Sequence, residues 1–361
     1  MKSPADIRLR AYPVKVLSAG NGVILKRGCT ELHISGQGAG EAVHRILVAI
    51  ASSQCTKHEI SNLFSMPDRE AVCSLIDELL SKRILVPHEE IMHPLPQGPE
   101  HPLDIFYWHF GQQAPGIVER LAGTRIIILG VNLISCRMAT SLAESAFPKV
   151  QVVDFPLFRN LRLFDDSGHL LPSHCPGLSP IPYDDWIHTF DEDSPACLVA
   201  TSDVGRNALF SKWNEYCVDK QFRFLPVVLH NLRGYVGPLV IPGETACYEC
   251  YRARQNAHIY DPHLDAVVER TAFETQPFIG FHPTMASILG DVASFEIARF
   301  HSGISPRWNV GSVIEMDLLT SQVASHKVLK VPRCPICSKR RLPVEITKRI
   351  TFFNNQRDTP E

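Results

Sequence analysis

The chain has 361 residues, 45% of them hydrophobic and 20% charged, enough to bury a core in two or three domains and too apolar for a disordered chain. Thirty-six Lys and Arg against 38 Asp and Glu leave a net charge of −2, which argues against a protein that coats nucleic acid or an anionic membrane. No apolar run approaches the roughly 20 residues of a membrane helix, and the polar start MKSPADIRLR has no signal-peptide core, so a cytoplasmic protein without membrane partner is expected.

Residues 8–35 read as three short strands, Arg8 to Leu17, Val23 to Arg27 and Thr30 to Ser35, with turns at Gly20-Asn21-Gly22 and Gly28. Three helical segments follow. The first carries the stripe Val43, Ile46, Leu47 and Ile50, the second opens on the capping box Thr56-Lys57-His58-Glu59, and the third carries Val72, Leu75, Ile76 and Leu79. A short apolar piece, Ile84-Leu85-Val86, closes a winged-helix-like module over residues 1–86. From Pro87 to Asp104 there are five prolines in eighteen residues, a linker composition. The second domain, residues 105–361, has an α/β rhythm. Arg125 to Gly130 is a buried parallel strand, Asn132 to Ala146 a helix, and Val150 to Asp154 a second strand ending in an acid. Further strands are expected at Cys197 to Ala200, Phe224 to Leu229 and Tyr235 to Ile241. The helix His282 to Phe300 would bury Met285, Ile288, Leu289 and Val292.

Eleven cysteines are present, an odd number, and a reducing compartment makes disulfides unexpected. Four of them form two Cys-x-x-Cys knuckles, Cys247/Cys250 and Cys334/Cys337. Two such turns bring four thiolates onto one ion, the ligand set of a structural zinc site with no open position for catalysis. Of the other seven, Cys73, Cys136 and Cys197 fall on regular elements and read as core. Cys175, in a Pro-rich loop, is the one candidate for an exposed, reactive thiol.

The turn Gly130-Val131-Asn132-Leu133-Ile134-Ser135 stands where a nucleotide-binding fold carries G-x-G-x-x-G, and only the first glycine is present. Asp154 either takes a ribose hydroxyl or caps its own turn. Residues 1–90 hold eleven Lys/Arg against ten Asp/Glu, so the module has no basic face for DNA. Its last strand alternates apolar and polar side chains, and at a sheet edge it is either solvated or able to accept an extended peptide.

Three stretches resemble a known family. Gly237-Pro-Leu-Val-Ile-Pro-Gly-Glu-Thr-Ala-Cys247-Tyr-Glu-Cys250-Tyr-Arg-Ala-Arg254, His326-Lys-Val-Leu-Lys-Val-Pro-Arg-Cys334-Pro-Ile-Cys337 and Ala200-Thr-Ser-Asp203 are similar to ThiF-like proteins of azoline peptide biosynthesis. These are the cyclodehydratase partner, or leader-peptide-binding, proteins that accompany YcaO enzymes. The resemblance implies an N-terminal peptide-recognition domain and a degenerate ThiF/MoeB-like Rossmann-type domain with structural zinc. It implies that a leader peptide adds beside Thr30, Glu31, Leu32, His33, Ile34 and Ser35 and contacts Cys73, Asp77 and Leu80 of the third helix. Gly130, Asp154 and Asp203 then mark a nucleotide site that has lost its cradle. Pro156 replaces the second acid of active relatives, and Asn160-Leu161-Arg162 is a remnant of their Asn-Leu-x-Arg stretch. ATP would be consumed by the YcaO partner, and homodimers are a family expectation. The alternative is a stand-alone ThiF-like enzyme that activates a peptide carboxylate with ATP and magnesium.

Overall fold

A computed structural model describes residues 7–53, 55–90, 100–173, 175–189, 196–230, 232–258, 267, 280–304 and 310–338. The chain divides into two compact units, Met1–Arg120 and Leu121–Glu361.

In the first unit, β1 (Leu9–Ala11) and β2 (Lys15–Ala19) replace the single strand expected over Arg8 to Leu17. Pro13 lacks an amide donor, and the chain breaks around it. The two pieces then pair differently. β1 runs antiparallel to β5 (Leu85–Pro87), whereas β2 joins β3 (Gly22–Arg27) and β4 (Thr30–Ser35) in a three-stranded antiparallel sheet of order β2-β3-β4. Helices α1 (Ala39–Ser53), α2 (Lys57–Ser61) and α3 (Arg69–Ser81) cover the core. Thr56 caps α2 reciprocally with Glu59, as the capping-box spacing predicts. The stripes bury Val43, Ile46 and Ile50 from α1 and Val72, Ile76 and Leu79 from α3 against Leu25 of β3. Pro87 lies within β5, and Pro102 already begins α4 (Pro102–His109), followed by α5 (Ala114–Ala122). Residues 91–99 of the Pro-rich stretch lie outside the described residues. Arg27, at the end of β3, grips Glu100 with both guanidinium arms, at 2.5 and 2.7 Å, between the rings of Tyr12 and Trp108.

The second unit is a mixed α/β layer structure around an eight-stranded sheet of order β13-β12-β11-β10-β9-β6-β7-β8. Its parallel part is β8 (Ile181–Pro182), β7 (Val150–Asp154), β6 (Arg125–Leu129), β9 (Ala196–Ser202) and β10 (Arg223–His230). β11 (Arg233–Val236), β12 (Ser312–Asp317) and β13 (Gln322–Lys327) continue it antiparallel. The strand expected over Tyr235 to Ile241 stops at Val236, because Gly237 turns to φ +96°. Helices α6 (Leu133–Glu144), α7 (Tyr183–Thr189), α8 (Asn207–Asp219), α9 (Tyr248–Asn256) and α10 (Pro283–His301) complete the unit.

Two expectations are corrected here. α10 does not bury Met285, Ile288 and Val292: Ile288 is 42% exposed, and the buried face is Ala286, Leu289, Gly290, Ala293 and Ile297. That small-residue face packs on α6 so closely that a Cβ on Gly290 would lie 2.9 Å from the Arg137 Cβ. Bulk was the wrong guide where two helix backbones approach. Cys175 is neither exposed nor free, but buried and bonded to Cys136 at the start of α6, with Cα atoms 5.5 Å apart. The disulfide pins the Pro-rich loop to the helix across 39 residues of sequence, a closeness that spacing alone does not reveal.

Candidate functional site

Among the described residues β4 has one neighbour, β3, and its other side is an open sheet edge. The two-residue turn Gly28-Cys29, with Gly28 at φ +57°, places Arg27 opposite Thr30. In an antiparallel hairpin hydrogen-bonded and non-bonded pairs then alternate. Thr30, Leu32 and Ile34 bond inward to β3, while the N–H and C=O groups of Glu31, His33 and Ser35 point to the open side. Thr30, Leu32 and Ile34 are half-buried and Glu31, His33 and Ser35 exposed. Leu32 and Ile34 pack on the same apolar cluster as Leu75 and Leu80 of α3. Cys73 is half-buried, and exposed Asp77 is held by Lys57 at 2.5 Å. On the solvent face Glu31 pairs with Lys26. Hydrogen bonding from that ammonium is the main reason its carboxyl lies below the usual range.

The turn after β6 sits where strand order reverses, between β7 and β9, the place where open α/β sheets bind ligands. Here it is filled from within. Gly130 takes φ +101°. Asn132 caps α6 through Ser135 N–H at 3.1 Å, and the Ser135 hydroxyl accepts from Asn132 N–H at 3.0 Å. The buried Asn132 amide donates to Phe158 O (3.2 Å), Thr201 O (2.9 Å) and Thr201 Oγ1 (3.0 Å). A glycine at this position would leave bare backbone; the asparagine knits three segments together.

The first N–H of α6, on Leu133, is also taken: Asp203 Oδ2 accepts it at 3.0 Å, together with Asn160 Nδ2 at 2.9 Å. A phosphate at a helix N-terminus uses such donors, and a carboxylate of the chain itself holds this one. Asp203 is fully buried, and burial drives its carboxyl above the ordinary range, against the lowering effect of Asn160 and Leu133. Asp154, the candidate ribose ligand, is gripped at both oxygens by Arg159, at 2.6 and 2.5 Å. Arg159 was not singled out in the sequence, although an acid five residues ahead of an arginine after a strand was the available signal.

Cys247, Cys250, Cys334 and Cys337 come together with all four sulfurs within 4.8 Å of one another. Cys247 caps α9, and Cys250 follows one turn later. Neighbouring sulfurs are 3.8 Å (Cys247 to Cys250), 3.6 Å (Cys247 to Cys334) and 3.5 Å (Cys250 to Cys337) apart. Thiolates about 2.3 Å from a tetrahedral ion would be roughly 3.8 Å apart, so the cluster has the dimensions of a four-sulfur metal site. Val331 N–H supports Cys250 Sγ at 3.3 Å. The four cysteines could hold a metal ion without a shift of backbone.

A mostly parallel sheet with a strand-order switch at β6 makes the second unit Rossmann-like, and its four-cysteine cluster could hold a metal ion. Among solved structures the chain is similar to the microcin C7 biosynthetic enzyme MccB in complex with N-formylated MccA, at 16% identity and TM-score 0.64, covering 92% of this chain and 100% of that one. E. coli MccB with ATP matches at 16% identity and TM-score 0.61, over 92% of this chain and 99% of that one. A heterocyclase in complex with substrate and cofactor matches at 18% identity and TM-score 0.55, over 92% of this chain and 40% of that one. No family model and no curated protein matches. Among the described residues no helix is long and apolar enough to cross a membrane.

Proposed function

We propose that the chain binds the leader of a ribosomally made precursor peptide through its winged-helix-like N-terminal domain. It then presents the core of that peptide to a YcaO cyclodehydratase for azoline formation at Cys, Ser or Thr. The observation that carries this reading is the edge of β4 left open among the described residues, with three residues offering backbone groups outward; the near-even count of basic and acidic residues over positions 1–90 speaks against nucleic acid. The likeness to MccB with MccA and to a heterocyclase with substrate supports a peptide as partner. The four-cysteine cluster serves as a structural zinc site, and ATP belongs to the partner enzyme. A flexible core tethered through its leader reaches an effective concentration in the millimolar range at the partner's active site.

The alternative, an enzyme that activates a peptide carboxylate with ATP by itself, draws support from the near-complete overlap with ATP-bound MccB. The asparagine and aspartate that fill the turn after β6 weigh against it. The test uses the purified chain, a fluorescent precursor peptide and His33→Pro. Proline removes an outward donor of β4 and leaves the inward ladder to β3 intact, so affinity should fall at least about fivefold. Unchanged affinity in a folded variant moves the peptide elsewhere, and robust ATP turnover by the chain alone with peptide establishes the alternative.

A further inference from the structure

Within the first unit lie a thiol and a base outside the proposed peptide-binding edge, Cys29 and His109. Cys29 is the second residue of the β3–β4 turn and, among the described free cysteines, the one that is exposed. His109 is the last residue of α4. Its Nε2 lies 3.4 Å from Cys29 Sγ and accepts from Cys29 N–H at 3.4 Å, and its Nδ1 is 3.8 Å from the sulfur.

The imidazole is flanked by the turn and by a tryptophan. The turn backbone lies so close that a Cβ on Gly28 would come within 2.4 Å of Nε2. The Trp108 ring lies 4.9 Å away, centroid to centroid. Nε2 therefore faces the thiol at a distance from which it can receive the thiol proton.

The other free cysteines lack this arrangement. Cys197 and Cys217 are buried, and burial pushes both thiols up, Cys197 to about 12. The Cys55 thiol is engaged by Ser53 Oγ and the Ala49 carbonyl. Cys73 is half-buried.

We propose that Cys29 and His109 form a base-assisted thiol that exchanges with disulfides of small thiols, making Cys29 a modification site of this chain. As Sγ attacks one sulfur of the incoming disulfide, its proton passes to Nε2 and a new S–S bond forms to Cys29. The old S–S bond breaks, and the departing thiolate takes the proton back from the imidazolium. Cys29 is oxidised to the mixed disulfide, and the released half is reduced to a thiol.

The test incubates the full chain with glutathione disulfide at neutral pH and maps modified cysteines by mass spectrometry over time. Cys29 should be modified at least about tenfold faster than Cys55 and Cys73. This competition is read in the wild-type chain, without any substitution. In His109→Gln, whose side-chain oxygen can still accept from Cys29 N–H, the rate should fall to that of Cys73, and the inflection that the imidazole gives the pH–rate profile should disappear. Equal rates at Cys29 and Cys73 in the wild type overturn the proposal, as does a folded His109→Gln with unchanged rate and profile.

Discussion

Asn132→Ala tests the closed turn most directly. The substitution removes the N-cap of α6, worth about 1 kcal/mol. It also removes three donated hydrogen bonds, to Phe158 O, Thr201 O and Thr201 Oγ1, in a fully buried site. Thr201 Oγ1 still donates to Leu129 O at 3.0 Å, but the two backbone carbonyls lose a partner where water does not replace it. Each buried bond contributes about 1 kcal/mol, and because they share one side chain the losses do not add in full. The second unit should lose about 3 kcal/mol, a change of roughly 100-fold in its unfolding equilibrium. For a unit of this size the transition should move down by about 6–12 °C. Differential scanning calorimetry and urea titration followed by near-UV circular dichroism would measure it. Asn132→Gly belongs in the same series. It restores the second glycine but leaves the Leu133 N–H on Asp203, so ATP should still not bind by isothermal titration calorimetry. A loss below about 1 kcal/mol in Asn132→Ala, or micromolar ATP binding by the wild-type chain, would refute the view that this turn is filled by its own side chains.

His301 sets a pH dependence. Burial, and then the charge of Arg223, lowers its pKa from 6.5 to about 4. The folded chain refuses a proton that the unfolded chain accepts, so stability present above pH 6.5 is lost as pH falls toward 4, by about 3 kcal/mol in all. The neighbouring rings Phe147 and Phe300 supply no charge, so His301→Phe should flatten that part of the curve in urea melts at stepped pH. Metal analysis should find about one zinc per chain, and Cys250→Ser should lose it together with thermal stability; full retention refutes the four-thiolate site. Gly290→Ala should destabilise by about 1–3 kcal/mol despite its better helix propensity, because the new Cβ meets Arg137 and the Ile134 carbonyl. A gain in melting temperature would mean that α6 and α10 can part at no cost.

What the sequence made legible was local. Thr56 and Glu59 are three residues apart and satisfy each other wherever the helix goes. The same holds for four of the five strands of the parallel run, β6, β7, β9 and β10, whose apolar blocks need no partner to be recognised. The cysteine knuckles were readable because each is a turn motif and metal chemistry couples one to the other. What stayed hidden depends on contacts across long stretches of chain. Asn132 reads as a lost glycine, and only the fold shows its amide reaching Thr201, 69 residues on. Cys136 with Cys175 and Cys29 with His109 lie 39 and 80 residues apart, and nothing in either segment announces its partner. The α10 face was misread for another reason: a stripe of bulky residues marks burial against a sheet or a loose helix, but two helices in close contact select small ones.

The four-cysteine cluster also imposes an order of events on synthesis. Cys247 and Cys250 leave the ribosome well before their partners, with 87 residues separating Cys247 from Cys334. At about 5–20 residues per second, the first knuckle waits roughly 4–17 s as an unfinished pair of thiols. During that interval it is open to oxidation or to the wrong ion, and β12 and β13 have yet to be made. The second unit therefore closes its sheet and its four-cysteine cluster only late in synthesis. Both are completed by the same late stretch of chain, so if the cluster takes a metal ion, scarcity of that metal during translation should act as a folding defect.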